Sequence, residues 1–161
     1  AAASALPSRR SRCVSFAIAP VSPADCARYC TAHGVDKKTA ALYSELFDGH
    51  IGTVLTAARD KARTEQVDKA MELARAAQAG DSYTAAVLLA PYEKDKAGAA
   101  ALLRDLRAVA AAGLQGSPHA PVQGQQAQRT LRLAEAAIQR LGAQVNPKIV
   151  LTVFAARLAH A

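Results

Sequence analysis

Residues 141–151 read Leu-Gly-Ala-Gln-Val-Asn-Pro-Lys-Ile-Val-Leu, which indicates the end of one helix and the immediate start of another. Gly142 can adopt the left-handed conformation that closes a helix. Asn146 is a favourable N-cap, and Pro147 suits the first helical position, where the N–H that proline lacks would have no partner. Because the residues that follow are almost all apolar, we expect a final helix buried in a packed collar or an oligomer contact. These residues are Ile149, Val150, Leu151, Val153 and Phe154.

The rest of the chain has the composition of close-packed helices. Apolar residues make up 51% of its 161 residues, but aromatic residues make up only 4%, and much of the apolar content is alanine. Helical periodicity and the positions of Gly and Pro predict an all-α chain. The predicted helices lie at about 22–33, 36–47, from 52, from about 67 to 79, 82–90, 93–112, 125–141 and 147–158.

Helical spacing predicts an apolar face on most of these helices. Residues Leu102, Leu103, Leu106, Val109 and Ala110 form the predicted core stripe of the longest helix. In the helix at 82–90 we expect Tyr83, Val87 and Leu88 to face inward. Between the helices at 93–112 and 125–141, three glycines, two prolines, Ser117 and His119 predict a mobile loop at 113–124.

Three parts are predicted along the chain. Residues 14–20 alternate in the manner of a β-strand, and a lone strand in so helical a chain indicates that a preceding sheet domain supplies its partners. The first residue is not methionine, which also predicts a fragment. Residues 1–20 are therefore expected to be the tail of an α/β domain, residues 21–62 a short helical unit, and residues 63–161 a bundle of about five helices.

Charge and cysteine content narrow the functional classes. The net charge of +7 and a pI of about 9.7 permit contact with nucleic acid or acidic partners, but scattered basic residues favour an ordinary solvated surface. Three cysteines argue against a disulfide framework and favour the reducing cytoplasm. No stretch approaches the roughly 20 apolar residues of a membrane span, so no membrane contact is expected.

Two motifs carry a resemblance to a known family. The first is Gln144-Val145-Asn146-Pro147-Lys148 with the apolar run after it, and the second is Leu6-Pro7-Ser8-Arg9-Arg10-Ser11-Arg12-Cys13. Their order and separation resemble the C-terminal portion of the clamp-loader subunits of bacterial DNA polymerase III, which are AAA+ proteins, and most of all the delta-prime type. The resemblance implies the end of an AAA+ domain, a helical lid domain and a helical collar.

The resemblance also implies candidate site residues. Clamp-loader subunits carry a P-T-I-x-S-R-C segment whose arginine acts on the ATP of a neighbouring subunit, and Ser11-Arg12-Cys13 matches its end. Arg12 is thus a candidate trans-acting arginine finger, although Ser8-Arg9 stands where Thr-Ile is usual. The alternative is an ordinary surface arginine in a basic cluster. The subunit interface implied at the other end comprises Asn146, Pro147, Ile149, Val150, Val153 and Phe154.

A nucleotide site is not expected in this segment. It contains no G-x-x-x-x-G-K-[ST] phosphate loop and no acidic cluster suited to Mg²⁺, so we expect no enzyme activity from this segment alone and no cofactor. Residues 49–55 resemble the second sensor segment of the family, but Gly52 stands where ATP-hydrolysing members have arginine. That departure favours the delta-prime type over a gamma or tau motor subunit.

One metal-like spacing has a simpler interpretation. Cys26, Cys30 and His33 share one face of a predicted helix, but zinc needs a fourth ligand and usually a turn between its ligands. Small buried cysteines that pack the first helical unit are therefore expected, and no metal.

The expected function is structural. The resemblance implies a cytoplasmic subunit that holds the loader ring together, with gamma or tau and delta subunits as partners, and that contacts the sliding clamp and primed DNA through the complex. Two alternatives stay open. One is a fragment of a gamma or tau ATPase, and the other is an independent basic helical module that binds nucleic acid.

Overall fold

The computed structural model describes residues 21–143 and 145–159, and every regular element in them is helical. The predicted all-α class is confirmed for this part of the chain. The predicted strand at 14–20 lies outside the described residues. The helices are α1 (Pro23–Ala32), α2 (Lys37–Leu46), α3 (Ile51–Arg59), α4 (Lys61–Ala79), α5 (Ser82–Leu89), a 3₁₀ turn (Ala90–Tyr92), α6 (Lys96–Leu114), α7 (Gly124–Gly142) and α8 (Pro147–Ala159).

Short polar side chains start most of these helices. Ser22 caps α1 by accepting the N–H of Asp25 at 3.2 Å, and Pro23 follows at the first helical position. Asp36 caps α2 and Asp81 caps α5 in the same way. The helices α1, α2 and α3 then pack on one another through small buried side chains, among them Cys26 and Ala40.

A single residue separates the first three helices from the fourth. Asp60 ends α3 with an extended backbone, and its carboxylate accepts the N–H of Ala62 at 3.0 Å at the start of α4. Sequence alone left a choice between a continuous helix and a short hinge, and the structure has a one-residue break. The predicted domain boundary at residue 62 lies beside this break, and it stays a prediction.

Polar contacts tie the three short helices and the start of α4 to the bundle. The guanidinium of Arg63 in α4 donates two hydrogen bonds to the carboxylate of Asp105 in α6, one of them at 2.5 Å, and the amide of Gln66 donates a third at 2.8 Å. Asp105 is only 6% exposed. The Ser117 hydroxyl donates to the Glu45 carboxylate of α2. Buried residues on both sides of Asp60 form one connected apolar cluster.

The helix pair α6 and α7 has the most extensive contact in the described chain, and α4 packs against both. All five residues of the predicted α6 stripe are at most 1% exposed, so that prediction is confirmed. In α7 the buried positions are mostly alanine, which lets the two helix backbones come close. The close approach extends to the loop at 115–123, because the backbone carbonyl of Val122 lies against Gly113.

The loop at 115–123 is a packed segment. Ser117, Ala120 and Val122 are buried in it, and the backbone N–H of Gln123 donates to the Gln78 side chain at 3.0 Å. The sequence correctly predicts a loop here. Its close packing gives no support to the predicted mobility, because buried side chains restrain a loop.

One predicted helix ending is wrong. Gly80 has the left-handed φ of 69° that ends α4, whereas Gly142 has no positive φ and is the last residue of α7. Ala143, with φ −78°, caps α7 by donating its N–H to the Gln139 carbonyl at 3.0 Å. The turn after α7 therefore forms without a left-handed glycine.

Candidate subunit interface

The terminal helix begins as its sequence predicts. The side-chain oxygen of Asn146 accepts the N–H of Lys148 at 2.9 Å, and Pro147 occupies the first position of α8. Asn146 is exposed and Pro147 is partly buried. A local cap of this kind needs only neighbouring residues, which explains why the sequence motif alone identified it.

The inner face of α8 is buried in the bundle. Val150, Leu151, Phe154, Ala155 and Leu158 are each at most 3% exposed. The predicted burial of Val150 and Phe154 is confirmed. The predicted burial of Ile149 is wrong, since its side chain is 59% exposed, and Val153 is only partly buried. The reason is geometric, because the neighbours of α8 leave one side of it uncovered.

The neighbouring helix α5 also presents apolar side chains to solvent. Tyr83 is 78% exposed and Val87 is 53% exposed, whereas Ala85 and Leu89 are the buried residues. The predicted inward face of this helix is therefore wrong for Tyr83 and Val87, and Leu88 is only partly buried. Nearly every residue of α5 is apolar or small, so periodicity could not select its buried side.

An open groove of about 360 Å³ runs between α5 and α8. Its lining is mostly apolar and comprises Ser82, Tyr83, Ala86, Leu89, Ala90, Glu93, Leu151, Thr152, Ala155 and Ala156. Ile149 lies three residues before Thr152 and seven before Ala156, so the three side chains share one face of α8. We call the groove together with Val87, Ile149 and Val153 the α5–α8 surface.

Polar contacts hold this surface in place. The ammonium of Lys148 pairs with the Glu93 carboxylate at 3.3 Å, which ties the start of α8 to the segment after the 3₁₀ turn. At the other end, the guanidinium of Arg129 in α7 donates to the Arg157 carbonyl at 2.6 Å. The amide of Gln126 donates to the Ala77 carbonyl at 2.6 Å. The Arg157 carbonyl lies in the last turn of α8, where carbonyls lack helical partners, whereas the Ala77 carbonyl also accepts the N–H of Gly80 at 3.3 Å.

The remaining predicted site residues fall into two groups. Ser11, Arg12 and Cys13 lie outside the described residues. Gly52 is the second residue of α3, where it is exposed and has open space around its Cα. The segment 49–55 thus forms a turn and a helix start. His50 precedes that helix without any side-chain capping bond.

Cys26 and Cys30 pack the core of the first three helices, as predicted. Both side chains are fully buried, and burial together with the neighbouring Cys26 raises the pKa of the Cys30 thiol. His33 lies apart from them, because its ring stacks on Tyr29 at 4.0 Å and its Nδ1 donates to the Tyr29 carbonyl at 2.8 Å. Within the described residues, no three His, Cys, Asp or Glu side chains are grouped to hold a metal ion.

The chain matches no protein-family model, no curated protein and no solved structure. Among the helices of residues 21–143 and 145–159, none has both the length and the apolar character that crossing a bilayer requires. Sequence reasoning missed Tyr83 and Val87 of the α5–α8 surface, because it placed both side chains in the core. The available signal was the absence of any polar side to α5.

Proposed function

We propose that this chain is the C-terminal part of a non-catalytic clamp-loader subunit, most like the delta-prime type. One observation carries the proposal, namely the order of the parts. A three-helix unit is followed by the break at Asp60 and then by a five-helix bundle, whose last helix starts at Asn146-Pro147. That order agrees with the lid followed by a collar that the resemblance implies, and it supports the proposal in this way.

In this proposal the α5–α8 surface contacts a neighbouring subunit of the loader ring. Tyr83, Val87 and Ile149 are all more than half exposed, and clustered exposed apolar side chains favour protein contact. Complete burial of such a side chain stabilises a complex by roughly 1.5–3 kcal/mol. In the subunit interface that the resemblance implies, Ile149 and Val153 are then the contact residues. Val150 and Phe154 support them from within the bundle.

Co-elution tests this interface. The chain should co-elute with gamma or tau and delta subunits in size-exclusion chromatography at micromolar concentration. Ile149→Asp should reduce co-elution strongly, because a charge would be buried in the contact. Leu114→Asp is the matched control, since Leu114 is a similarly exposed apolar residue at the end of α6. Absence of co-elution by the parent chain, or equal losses in both variants, would contradict the proposal.

The catalytic contribution in this proposal belongs to Arg12. The planar guanidinium of an arginine can stabilise the charge that develops on a transferred phosphoryl group in a neighbouring ATP site. In a loader assembled with the complete subunit, Arg12→Ala should lower clamp loading and ATP turnover at the affected site by about ten-fold or more. Assembly should persist. Unchanged loading and unchanged ATP turnover would leave Arg12 as a surface arginine.

The gamma or tau alternative is tested by the upstream coding sequence. A motor subunit requires a phosphate loop there, together with a sensor arginine in the segment where this chain has Gly52. A phosphate loop in the upstream sequence would favour that alternative over the delta-prime type.

A further inference from the structure

Charge is divided unequally along the chain. Residues 96–161 contain eight Lys or Arg and two Asp or Glu, a formal charge of +6, whereas residues 21–95 contain nine basic and eleven acidic residues, a charge of −2. One of the two acids, Asp105, is buried in its contact with Arg63, which leaves Glu135 as the exposed acid of α6 and α7. The scattered charges predict an ordinary solvated surface, but the surface of α6 and α7 is strongly basic.

The basic side chains of α6 lie along one ridge. Lys96, Arg104 and Arg107 are exposed, and at about 100° per residue they fall within about 80° of one another around the helix axis. At about 1.5 Å per residue the ridge extends for roughly 16 Å. Within the described residues, no carboxylate oxygen lies within 4.0 Å of their charged nitrogens. We call these three residues the α6 basic ridge.

A groove borders this ridge. It has a volume of about 460 Å³ and is lined by Lys96, Ala97, Ala100, Arg104, Ile138, Leu141 and Gly142. The side chains of Ala97 and Ala100 are small, so a bulky ligand can approach Lys96 and Arg104 closely. Arg132 adds a further exposed cation on the outer side of α7.

We infer that the α6 basic ridge binds the phosphate backbone of duplex nucleic acid without reading its sequence. B-form DNA carries one negative charge per roughly 1.7 Å of axis, so a ridge of this length can meet a separate phosphate with each cation. Residues 96–142 contain no Phe, Trp or Tyr, so the site lacks the aromatic side chains on which single-stranded bases stack. Of the Trp, Tyr and Arg side chains that anchor protein interfaces, this surface offers arginine alone, which disfavours an acidic protein as the occupant. This inference goes beyond the proposed function and does not depend on it.

Fluorescence anisotropy with a labelled 20-base-pair duplex of mixed sequence tests the inference on the 161-residue chain. Affinity should fall steeply between 50 and 200 mM KCl. The variant Lys96→Gln/Arg104→Gln/Arg107→Gln should bind at least about ten-fold more weakly at 100 mM KCl, and the slope of log K against log salt should shrink by about 2 to 3. Arg104→Lys/Arg107→Lys should keep most of the affinity, because lysine retains the charge.

The matched control is Lys37→Gln/Lys38→Gln/Arg75→Gln, which removes the same net charge from exposed positions on α2 and α4. It should change affinity by less than about three-fold, and both variants should melt like the parent chain. Equal losses in the two triple variants, or no salt-dependent binding by the parent chain, would overturn the inference. An oligoglutamate that displaces the duplex as well as unlabelled duplex does would assign the ridge to an acidic protein instead.

Discussion

Replacement of glycine by alanine should lower the stability of the chain at Gly113 and raise it at Gly52. A Cβ built on Gly113, near the end of α6, would lie 1.9 Å from the Val122 carbonyl oxygen and 3.1 Å from its carbonyl carbon. A Cβ built on Gly52, near the start of α3, would have no atom within 4 Å, and neither glycine has a positive φ. A comparison of Gly→Ala at the two sites therefore isolates how the close approach of the Val122 carbonyl to Gly113 affects stability.

The expected magnitudes follow from this geometry. Alanine stabilises a helical position relative to glycine by at most about 1 kcal/mol, and near a helix end by less. At Gly113 the clash involves backbone, so the loop at 115–123 must move by about 1 Å or more, and overpacking of this kind costs about 1–3 kcal/mol. We expect Gly113→Ala to destabilise the chain by about 2 kcal/mol and Gly52→Ala to stabilise it by up to about 1 kcal/mol.

Thermal unfolding followed by circular dichroism measures both effects. For a chain of this size, 1 kcal/mol corresponds to about 2–4 °C in Tm. Gly113→Ala should thus lower Tm by about 4–8 °C, and Gly52→Ala should raise it by up to about 4 °C. A stabilising effect of Gly113→Ala would refute the close packing of the loop against α6.

Three further predictions concern the core, the buried ion pair and a helix cap. Phe154→Ala should cost about 3–4 kcal/mol of unfolding free energy because the ring is enclosed, whereas the exposed Ile149→Ala should change it by less than about 0.5 kcal/mol in the same denaturant titration. Asp105→Ala should cost about 2–3 kcal/mol in urea unfolding, since it strips the partly buried Arg63 of its partner, and an unchanged midpoint would contradict the ion pair. Hydrogen bonds from the hydroxyl and then the backbone N–H of Thr84 hold the pKa of Asp81 below its usual value, so its contribution to stability is present above about pH 4 and is lost as pH falls through the lowered pKa. Asp81→Asn should therefore lower Tm at pH 6 and make little difference near pH 2, and an equal difference at both values would speak against this cap.

Sequence patterns predicted the elements whose causes are local. The predicted cap at Asn146 involves only residues two positions apart, and it is present in the structure, where the Asn146 side-chain oxygen accepts the N–H of Lys148. The core stripe of α6 was also predictable, because its apolar residues recur at helical spacing. In these cases the physical cause is contained in the local sequence itself.

Contacts between distant residues were not predictable in this way. Arg63 and Asp105 are 42 positions apart, and nothing in either local sequence marks them as partners.

The end of α7 also differs from its sequence prediction. The sequence predicts a left-handed helix stop at Gly142, yet the chain turns after Ala143 instead. Arg140 accepts the N–H of Val145 through its carbonyl at 3.3 Å, which closes the turn by a backbone bond.

By itself, the sequence determined the helical class, most helix starts, and the inward side of α6. Only the tertiary structure decided which sides of α5 and α8 are buried. Both helices are apolar on nearly all sides, so each side would gain similar free energy from burial. The packing of α8 against α5 and α7 breaks this equivalence, and for that reason Tyr83, Val87 and Ile149 lie on the surface while Leu89 and Phe154 lie in the core.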